Sequence, residues 1–301
     1  MTPTPPEPTM IAIDWGSTHR RAYAVTRDGH MLGAVRDNRG IIPLVGADFP
    51  AELAALRATL GDLPVLMAGM VGAARGWMAV DYVPCPADLS ALARGIHWVE
   101  PGRTGIVPGV STRAGGRGDT MRSEEIQLLG AHAAGLIPDD ALVCQPGTHC
   151  KWARMAGGKL ADFTTRMTGE LFALLRQHSL LAEMVGGDVS PGAAFDAGLA
   201  DAANNDLIRD LFGIRAADLL GLRRRGDGAS YLSGLLIGSD VRAQGLAPDT
   251  LVHLVAEAPL AALYARAIAA AGGRTQPIDT GLAFIAGMAA LWRIVDPREG
   301  D

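Results

Sequence analysis

The chain has 301 residues, 49% of them hydrophobic and 20% charged, and carries a formal net charge of −5. These values are typical of a globular protein with a sizeable core, arranged as two domains or as one large one. We therefore expect no nucleic-acid surface, no membrane span of roughly 18 apolar residues and no signal peptide.

The first half of the chain begins with a proline-rich segment and then alternates strands with helices. Residues 1–9 hold four prolines and predict a disordered tail. Apolar patterns predict strands at 10–14, 21–25, 31–35, 65–69 and 107–110, and helices at 51–60, 88–94 and 121–135.

The second half repeats the order of strands followed by helices. Three strands are predicted within 141–164, and the rest of the pattern predicts helices at 168–181, 191–204, 206–212, 216–222, 231–241, 258–271 and 282–295, with strands at 251–255 and 276–279. Three cysteines without a CxxC spacing favour reduced thiols, so we expect a cytoplasmic protein.

Two segments, 11–21 and 142–152, resemble each other and predict a duplicated domain. Their alignment pairs Gly16 with Gly147 and Ser17 with Thr148. Glycine lets backbone N–H groups approach an anion and the hydroxyl adds a donor, so each turn is a candidate phosphate site. Asp14 would then supply a carboxylate to Mg²⁺, directly or through water. The alternative is two ordinary hairpins in one core.

Two further stretches carry candidate chemistry. The loop after the strand at 65–69 contains Arg75 and Trp77, where the arginine could bind a carboxylate or simply face solvent. Asp119 precedes a helix, where it is either the N-cap or an exposed general base. Glu124 and Glu125 follow it and are explained by the favourable helix dipole.

The order of elements and the two turns resemble the acetate and sugar kinase/Hsp70/actin superfamily. The resemblance implies an α/β, duplicated ribonuclease H-like (actin-like ATPase) fold of two domains with an interdomain ATP cleft. We expect an N-terminal domain at 10–135 on the sugar-acid side and a C-terminal domain at 136–301 on the nucleotide side. A helical insertion is expected at about 166–240.

A narrower resemblance, to the 2-dehydro-3-deoxygalactonokinase family, is carried by an ordered set of motifs. They lie at 14–18, 69–72, 75–77, 108–111, 119–122, 124–125, 146–149, 151–152, 167–172 and 231–238. The resemblance implies phosphorylation of the 6-hydroxyl of 2-dehydro-3-deoxygalactonate, with ATP and Mg²⁺ as cofactors. A homodimer stays open.

The resemblance and the turns together assign the site residues. The expected roles are Asp119 as catalytic base; Gly16, Ser17, Thr18, Gly147, Thr148 and Lys151 for the ATP phosphates; Gly72, Arg75, Trp77 and Arg166 for the substrate; and Asp14 for the metal. Glu124 and Glu125 remain alternatives to Asp119 as the base, and Lys151 could instead face solvent.

Two departures from the family pattern stand out. Ser123 occupies a position that is usually glycine, and the stretch 255–259 replaces a glycine-containing turn that seats the adenosine. The second departure leaves the contacts with the nucleotide base open. Alternative functions are a kinase for another sugar acid or sugar, and a non-catalytic binding protein regulated by ATP.

Overall fold

The computed structural model of the protein describes residues 6–44, 48–113, 116–224 and 226–296. Most of the predicted tail, residues 1–5, lies outside the described residues. Residues 6–9 have no regular secondary structure, and the Thr9 N–H donates to the Val25 carbonyl at 2.8 Å.

The described residues fall into two compact units. Unit 1 takes those of 1–140, 154–163 and 279–301, and unit 2 takes 141–153 and those of 164–278. The single predicted boundary between residues 135 and 136 differs from this division, chiefly because the last helix belongs to unit 1.

Unit 1 contains a six-stranded sheet in the order β3-β2-β1-β4-β7-β6 and a three-stranded sheet in the order β5-β8-β9. The strands are β1 (Met10–Trp15), β2 (Arg20–Val25), β3 (Met31–Asp37), β4 (Val65–Gly69), β5 (Val83–Pro84), β6 (His97–Glu100), β7 (Thr104–Ile106), β8 (Val110–Thr112) and β9 (Asp119–Met121). The helices are α1 (Phe49–Leu60), α2 (Leu89–Arg94), α3 (Glu124–Ala133) and α9 (Thr280–Val295). Strands β1 and β4 pair in parallel and read as continuous apolar runs because the centre of the sheet is buried.

A third sheet has five strands in the order β12-β11-β10-β13-β14. Its strands are β10 (Ala141–Gln145), β11 (Cys150–Ala156), β12 (Lys159–Arg166), β13 (Leu251–Val255) and β14 (Arg274–Ile278). Unit 2 has the helices α4 (Thr168–His178), α5 (Ala193–Asp201), α6 (Leu207–Leu219), α7 (Gly228–Arg242) and α8 (Leu260–Ala270). In both large sheets, the first strand of the opening hairpin also pairs in parallel with a later strand. These parallel pairs are β1 with β4 and β10 with β13. The predicted duplication is therefore confirmed.

Close helix pairs use glycine contacts in both units. A Cβ on Gly130 of α3 would lie 2.0 Å from the Ala283 carbonyl of α9, and one on Gly287 of α9 would lie 2.3 Å from the Ile126 carbonyl of α3. In unit 2, a Cβ on Gly198 of α5 would lie 2.2 Å from the Tyr231 carbonyl of α7. Any side chain at these positions would push the helices apart.

Three element predictions were wrong. The strand predicted at 107–110 is absent, because β7 ends at Ile106 and β8 begins only at Val110. The helices predicted at 206–212 and 216–222 are one helix, α6, because the chain passes through Gly213 without a break and buries Ile214. The helix predicted from residue 121 begins at Glu124, and residues 119–121 form β9 instead. None of the helices among the described residues combines the length and the apolar character that crossing a membrane requires.

Candidate functional site

The first predicted turn joins β1 to β2 and lines a small polar cavity of about 180 Å³. The lining residues are Asp14, Gly16, Ser17, Thr18, His19 and Arg21. The structure thus brings together the four residues that the sequence assigns to phosphate and metal in this half of the chain.

The backbone of this turn is held by the segment 40–42. The N–H groups of residues 40–42 donate to the carbonyl oxygens of residues 16–18 over 2.9 to 3.1 Å. A Cβ on Gly40 would lie 2.4 Å from the Thr18 carbonyl carbon, so the close approach requires glycine. The segment 40–42 therefore holds the backbone of the turn in place.

Asp14 stands at the floor of the cavity with two partners. The Ser123 hydroxyl donates to Asp14 Oδ1 at 2.7 Å, and Arg21 Nη1 lies 3.6 Å from Asp14 Oδ2. Burial raises the pKa of Asp14; the Ser123 hydrogen bond and Arg21 act against that rise, and the charge of Glu124 adds to it. A positive charge placed at this carboxylate would be stabilised.

Ser123 precedes α3 in a backbone conformation that favours glycine, with φ at +95°. The interpretation of Asp119 as the N-cap is therefore wrong, because the helix begins after Ser123. The acidic side chains of the first turn reach back instead: Glu124 Oε2 accepts from the Arg122 N–H and Glu125 Oε1 from the Ser123 N–H, both at 3.0 Å.

Glu125 is fully buried, and no partner for its Oε2 atom lies among the described residues. Burial, with a smaller contribution from Glu124, raises the pKa of Glu125 to about 8. Glu124 is only half-buried. Both side chains therefore belong to the group around Asp14.

Asp119, the predicted base, is half-buried at the start of β9. It pairs with Thr112 of β8 in the ladder, and its Oδ1 accepts from the Thr120 N–H at 2.8 Å.

Arg122 is an unusual cation that sequence reasoning missed. Its Nη2 donates to the Val80 carbonyl at 2.7 Å, and its guanidinium lies 4.4 Å from the centre of the Tyr82 ring. No acceptor within the described part of the chain bonds its Nε or Nη1 atoms, although both are buried. A Cβ on Gly72 would lie 2.8 Å from Nη1, so Gly72 leaves the space that the guanidinium occupies.

The other predicted substrate residues of unit 1 have different surroundings. Arg75 is exposed in the loop after the 3-10 turn Met70–Gly72. Trp77 stacks on Phe49 with 5.6 Å between ring centres and packs against the unit 1 core. Arg75 faces solvent, whereas Trp77 has a packing role.

The second predicted turn joins β10 to β11 and is braced by the start of α4. The Glu170 N–H donates to the Thr148 carbonyl at 2.9 Å, and a Cβ on Gly169 would lie 2.4 Å from the Gly147 carbonyl. Lys151 is buried, and its Nζ donates to the His149 carbonyl at 3.1 Å. The solvent-facing alternative for Lys151 is therefore wrong.

A cavity of about 200 Å³ lies beside this turn, inside unit 2. Its polar edge is formed by Gly147, Thr168, Gly169 and Ser233, and its apolar wall by Phe172, Val189, Leu236, Ile237, Pro259, Leu260, Leu263 and Tyr264. Pro259 ends the atypical stretch 255–259, so that stretch does border a cavity of apolar character.

Arg166, the second predicted arginine for the substrate, ends β12 next to a buried carboxylate. Its Nε lies 3.9 Å from Asp240 Oδ1. Asp240 also accepts hydrogen bonds from Trp152, Thr168 and Tyr264 at 2.8 to 2.9 Å. These contacts tie β11, α4, α7 and α8 together.

Comparison with known proteins identifies the family. The model of the family described as 2-keto-3-deoxy-galactonokinase matches residues 14–291. The chain belongs to the 2-keto-3-deoxy-galactonokinase family.

Two relatives illustrate the match. A 2-dehydro-3-deoxygalactonokinase of Escherichia coli (strain K12) is 36% identical over 286 residues, which cover 93% of this chain and 96% of the relative. A solved structure described as a 2-dehydro-3-deoxygalactonokinase protein from Sinorhizobium meliloti is 33% identical, with a TM-score of 0.89 and coverage of 97% of this chain and 98% of that one. The expected fold is therefore confirmed.

Phosphoryl transfer from ATP commonly uses Mg²⁺, and the first cavity offers a carboxylate that suits this cation. Mg²⁺ prefers carboxylate, water and phosphate oxygens and takes few protein ligands. Asp14 offers a half-buried carboxylate with Glu124 close enough to raise its pKa. No group of three or more His, Cys, Asp or Glu side chains suited to a metal occurs in the described ranges.

Sequence reasoning missed two residues of the candidate site, Ser123 and Arg122, for different reasons. The signal for Ser123 was present, since glycine is usual there and a positive φ explains it. Arg122 lies in the motif at 119–122, but sequence reasoning assigned it no role, because its contacts with Val80, Tyr82 and Gly72 join residues that are distant in sequence.

Proposed function

We propose that the protein transfers the γ-phosphoryl group of ATP to the 6-hydroxyl of 2-dehydro-3-deoxygalactonate. The product is 2-dehydro-3-deoxy-6-phosphogalactonate, so the enzyme is a phosphotransferase with an alcohol acceptor. Membership of the 2-keto-3-deoxy-galactonokinase family supports this reaction. The observation that carries it in the structure is the preorganised polar cavity of the first turn, with Asp14 at its floor.

We propose that each of the two turns contacts phosphate through its own set of donors. Gly16, Ser17 and Thr18 supply N–H and hydroxyl donors in unit 1. Gly147 and Thr148 do so in unit 2, and Lys151 adds a positive charge beneath them. The cavity beside Gly147 accommodates the nucleoside, because its apolar wall suits a flat base and its polar edge suits a ribose.

Phosphoryl transfer needs positioning and charge neutralisation more than covalent chemistry. In the step proposed here, the 6-hydroxyl oxygen forms a bond to the γ-phosphorus, the bond from that phosphorus to the β–γ bridging oxygen breaks, and ADP leaves. The hydroxyl proton passes to a carboxylate. Mg²⁺ held at Asp14 would neutralise the phosphate charge.

Asp119 stays our proposed base, with Glu124 as its rival. Asp119 is half-buried at the end of a loop, where a substrate hydroxyl could reach it. Glu124 is supported by its influence on Asp14. Glu125 is fully buried, which favours a role in holding Ser123 over contact with substrate.

We propose that Arg122 binds the substrate carboxylate, in place of the predicted Arg75. Two buried N–H donors without acceptors each cost about 1–3 kcal/mol, which a carboxylate would recover. Nε and Nη1 lie on different edges of the guanidinium, so a carboxylate would accept a charge-assisted hydrogen bond from one of them. Arg166 remains a weaker candidate, because Asp240 already stands beside it.

The test is an ADP-release assay with Mg-ATP and a panel of sugar acids and neutral sugars. It compares wild type with Asp119→Asn and Glu124→Gln. Turnover on 2-dehydro-3-deoxygalactonate that falls at least 100-fold in Asp119→Asn, with ATP binding retained, supports the reaction and the base. A loss confined to Glu124→Gln would transfer the role to Glu124.

The same assay addresses the alternatives. Turnover on another sugar acid only, or on a neutral sugar, would contradict the proposed substrate. ATP binding without turnover on any acceptor would contradict the enzyme and favour a binding protein. We propose that the reaction takes place in the cytoplasm, since all three cysteines are free thiols.

A further inference from the structure

The cavity of unit 2 beside Gly147, which we assign to the nucleoside, has few groups that could recognise the edge of a base. Its volume is about 200 Å³, and its lining among the described residues includes no charged and no amide side chain. The polar side chains of the lining are those of Thr168, Ser233 and Tyr264, each with one hydroxyl. Purine bases differ in the donors and acceptors along their edges, so these three hydroxyls decide whether the cavity distinguishes them.

Two of the three hydroxyls already have a partner. Thr168 Oγ1 and the Tyr264 hydroxyl each donate to Asp240 Oδ2 at 2.8 Å. A hydroxyl has a single proton, so both can only accept a hydrogen bond from a base. Adenine carries an amino group at position 6, and hypoxanthine and guanine carry an N–H at position 1, so an acceptor finds a donor on each base. Neither hydroxyl therefore selects one purine.

The third hydroxyl belongs to Ser233 of α7 and suits either kind of edge. It rotates, so it accepts from the 6-amino group of adenine or donates to the 6-oxo group of hypoxanthine or guanine. Ser233 stands at the polar edge of the cavity together with Gly147, which is the end nearer to the proposed phosphate turn. The base itself then lies against the apolar wall.

The start of α8 contributes apolar surface to this wall. Pro259 has no N–H group, and the N–H groups of residues 261–263 already donate to the carbonyl oxygens of Glu257 and Pro259 over 3.0 to 3.4 Å. The stretch 255–259 stands where the family pattern has a glycine-containing turn that seats the adenosine. In this chain, the departure therefore gives the base an apolar surface in place of backbone donors.

We propose that the enzyme holds the base by its faces and does not select adenine, so that ATP, ITP and GTP donate the phosphoryl group with similar efficiency. The inference rests on the proposed kinase function and on the assignment of this cavity to the nucleoside. A site built to hydrogen-bond an edge rejects an analogue without that bond by about 10⁴-fold or more, whereas an apolar pocket discriminates weakly.

The first test compares kcat/KM for the three nucleotides, measured by formation of the phosphorylated sugar acid. All three values are expected to agree within about fivefold. ITP shares the 6-oxo group of GTP and lacks its 2-amino group, so the pair separates recognition at position 6 from recognition at position 2. A preference for ATP of more than about 20-fold over either nucleotide would overturn the proposal.

The second test measures binding of ADP, IDP and GDP by calorimetry, which needs no acceptor and no turnover. Ser233→Ala should weaken all three nucleotides alike, by less than about tenfold, because one neutral hydrogen bond is lost in each case. Loss of affinity for one base alone would show that Ser233 reads the edge, and would overturn the proposal.

A third variant separates this inference from the assignment of the cavity. Val189→Trp adds an indole to the apolar wall and should weaken ADP and GDP at least about 30-fold by filling the space of the base. Leu174→Trp is the matched control, since Leu174 of α4 is 44% exposed and lies outside the lining. Thermal unfolding without ligand verifies that both variants fold.

The outcomes of the third variant are distinct. Nucleotide affinity that survives Val189→Trp would remove the nucleoside from this cavity, and the inference would fail together with that part of the proposed function. Strong selection of ATP by wild type, with binding that Val189→Trp abolishes, would overturn the inference alone and leave the kinase function standing.

Discussion

Ser123 combines backbone strain with a hydrogen bond to Asp14. Its φ of +95° costs a residue with a Cβ about 1–3 kcal/mol, while its hydroxyl satisfies the carboxylate at 2.7 Å. Ser123→Gly should remove the strain, and Ser123→Ala should keep it; both lose the hydrogen bond. We expect the glycine variant to be more stable than the alanine variant by about 1 kcal/mol, measured by urea unfolding. Equal stability of the two variants would mean that the backbone is not strained there.

Arg122 is predicted to control acid recognition. Arg122→Gln should raise KM for the sugar acid about 30- to 100-fold, the equivalent of a charge-assisted hydrogen bond of about 2–3 kcal/mol. KM for ATP should stay unchanged, and the variant should lose its preference for an acid over the corresponding neutral amide. Arg75→Gln is the matched control and should change neither value. A purely structural Arg122 would lower stability and affect both acceptors alike.

The burial of Glu125 makes the free energy of unfolding depend on pH. Its pKa is about 8 in the folded protein against an ordinary value of 4.5, so the folded state holds one more proton between these values. Its contribution is fully present below pH 4.5 and decreases by about 1.4 kcal/mol per pH unit as the pH rises towards 8. Glu125→Gln should remove this pH dependence. The free energy of unfolding of the variant should therefore rise relative to that of wild type between pH 5 and pH 8.

The matched control for Glu125 is Glu52, whose pKa shifts in the opposite direction. Hydrogen bonds and charges from Arg39 and Arg20 lower the pKa of Glu52. The stabilisation by Glu52 is present above its ordinary pKa and decreases as the pH falls through its folded pKa. Glu52→Gln should therefore lower the free energy of unfolding most at neutral pH. Urea unfolding at several pH values measures both differences. Parallel pH profiles for Glu125→Gln and wild type would contradict the buried proton.

At the scale of elements, glycine contacts set how closely α3 and α9 pack. Gly130→Ala or Gly287→Ala places a methyl group within 2.3 Å of backbone carbonyl oxygens, so each should destabilise the protein by about 2–4 kcal/mol despite better helix propensity. Gly281→Ala in α9 is the control, because its nearest neighbour lies at an ordinary 3.4 Å. Thermal unfolding measures all three. A neutral Gly287→Ala would mean that the helices separate easily.

The sequence predicted most elements and missed those that depend on tertiary contacts. Long apolar runs identified β1, β4, β10 and β13 because central parallel strands are buried on both faces. The single helix α6 was divided at Gly213, since glycine usually interrupts a helix, whereas burial of Ile214 keeps it continuous. Strand β9 is three residues long and depends on its pairing with β8, which no local pattern reveals.

At the scale of the whole molecule, the repeated turns predicted the duplication and the site in part. Asp14 and the first turn come together in one cavity because they follow each other in sequence. Arg122 lies beside Gly72 and Ser123 beside Asp14 through contacts between residues that are 50 and 109 positions apart in sequence. Similarly, α9 belongs to unit 1 although it lies at the C-terminal end of the chain. A single boundary along the sequence cannot describe such a division.

The unfolding of the whole molecule also reports on the proposed cofactors without any turnover. A ligand present at 100 times its Kd adds about 2.7 kcal/mol to the free energy of unfolding. In wild type, ATP with Mg²⁺ should therefore raise Tm more than ATP with a chelator does. Asp14→Asn keeps an oxygen that accepts the Ser123 hydrogen bond but loses the charge that a hard cation needs, so the increment from Mg²⁺ should disappear. Adenosine alone, which we expect in the cavity beside Gly147, is the control and should stabilise both proteins equally. The same Mg²⁺ increment in the variant as in wild type would show that the cation is held elsewhere.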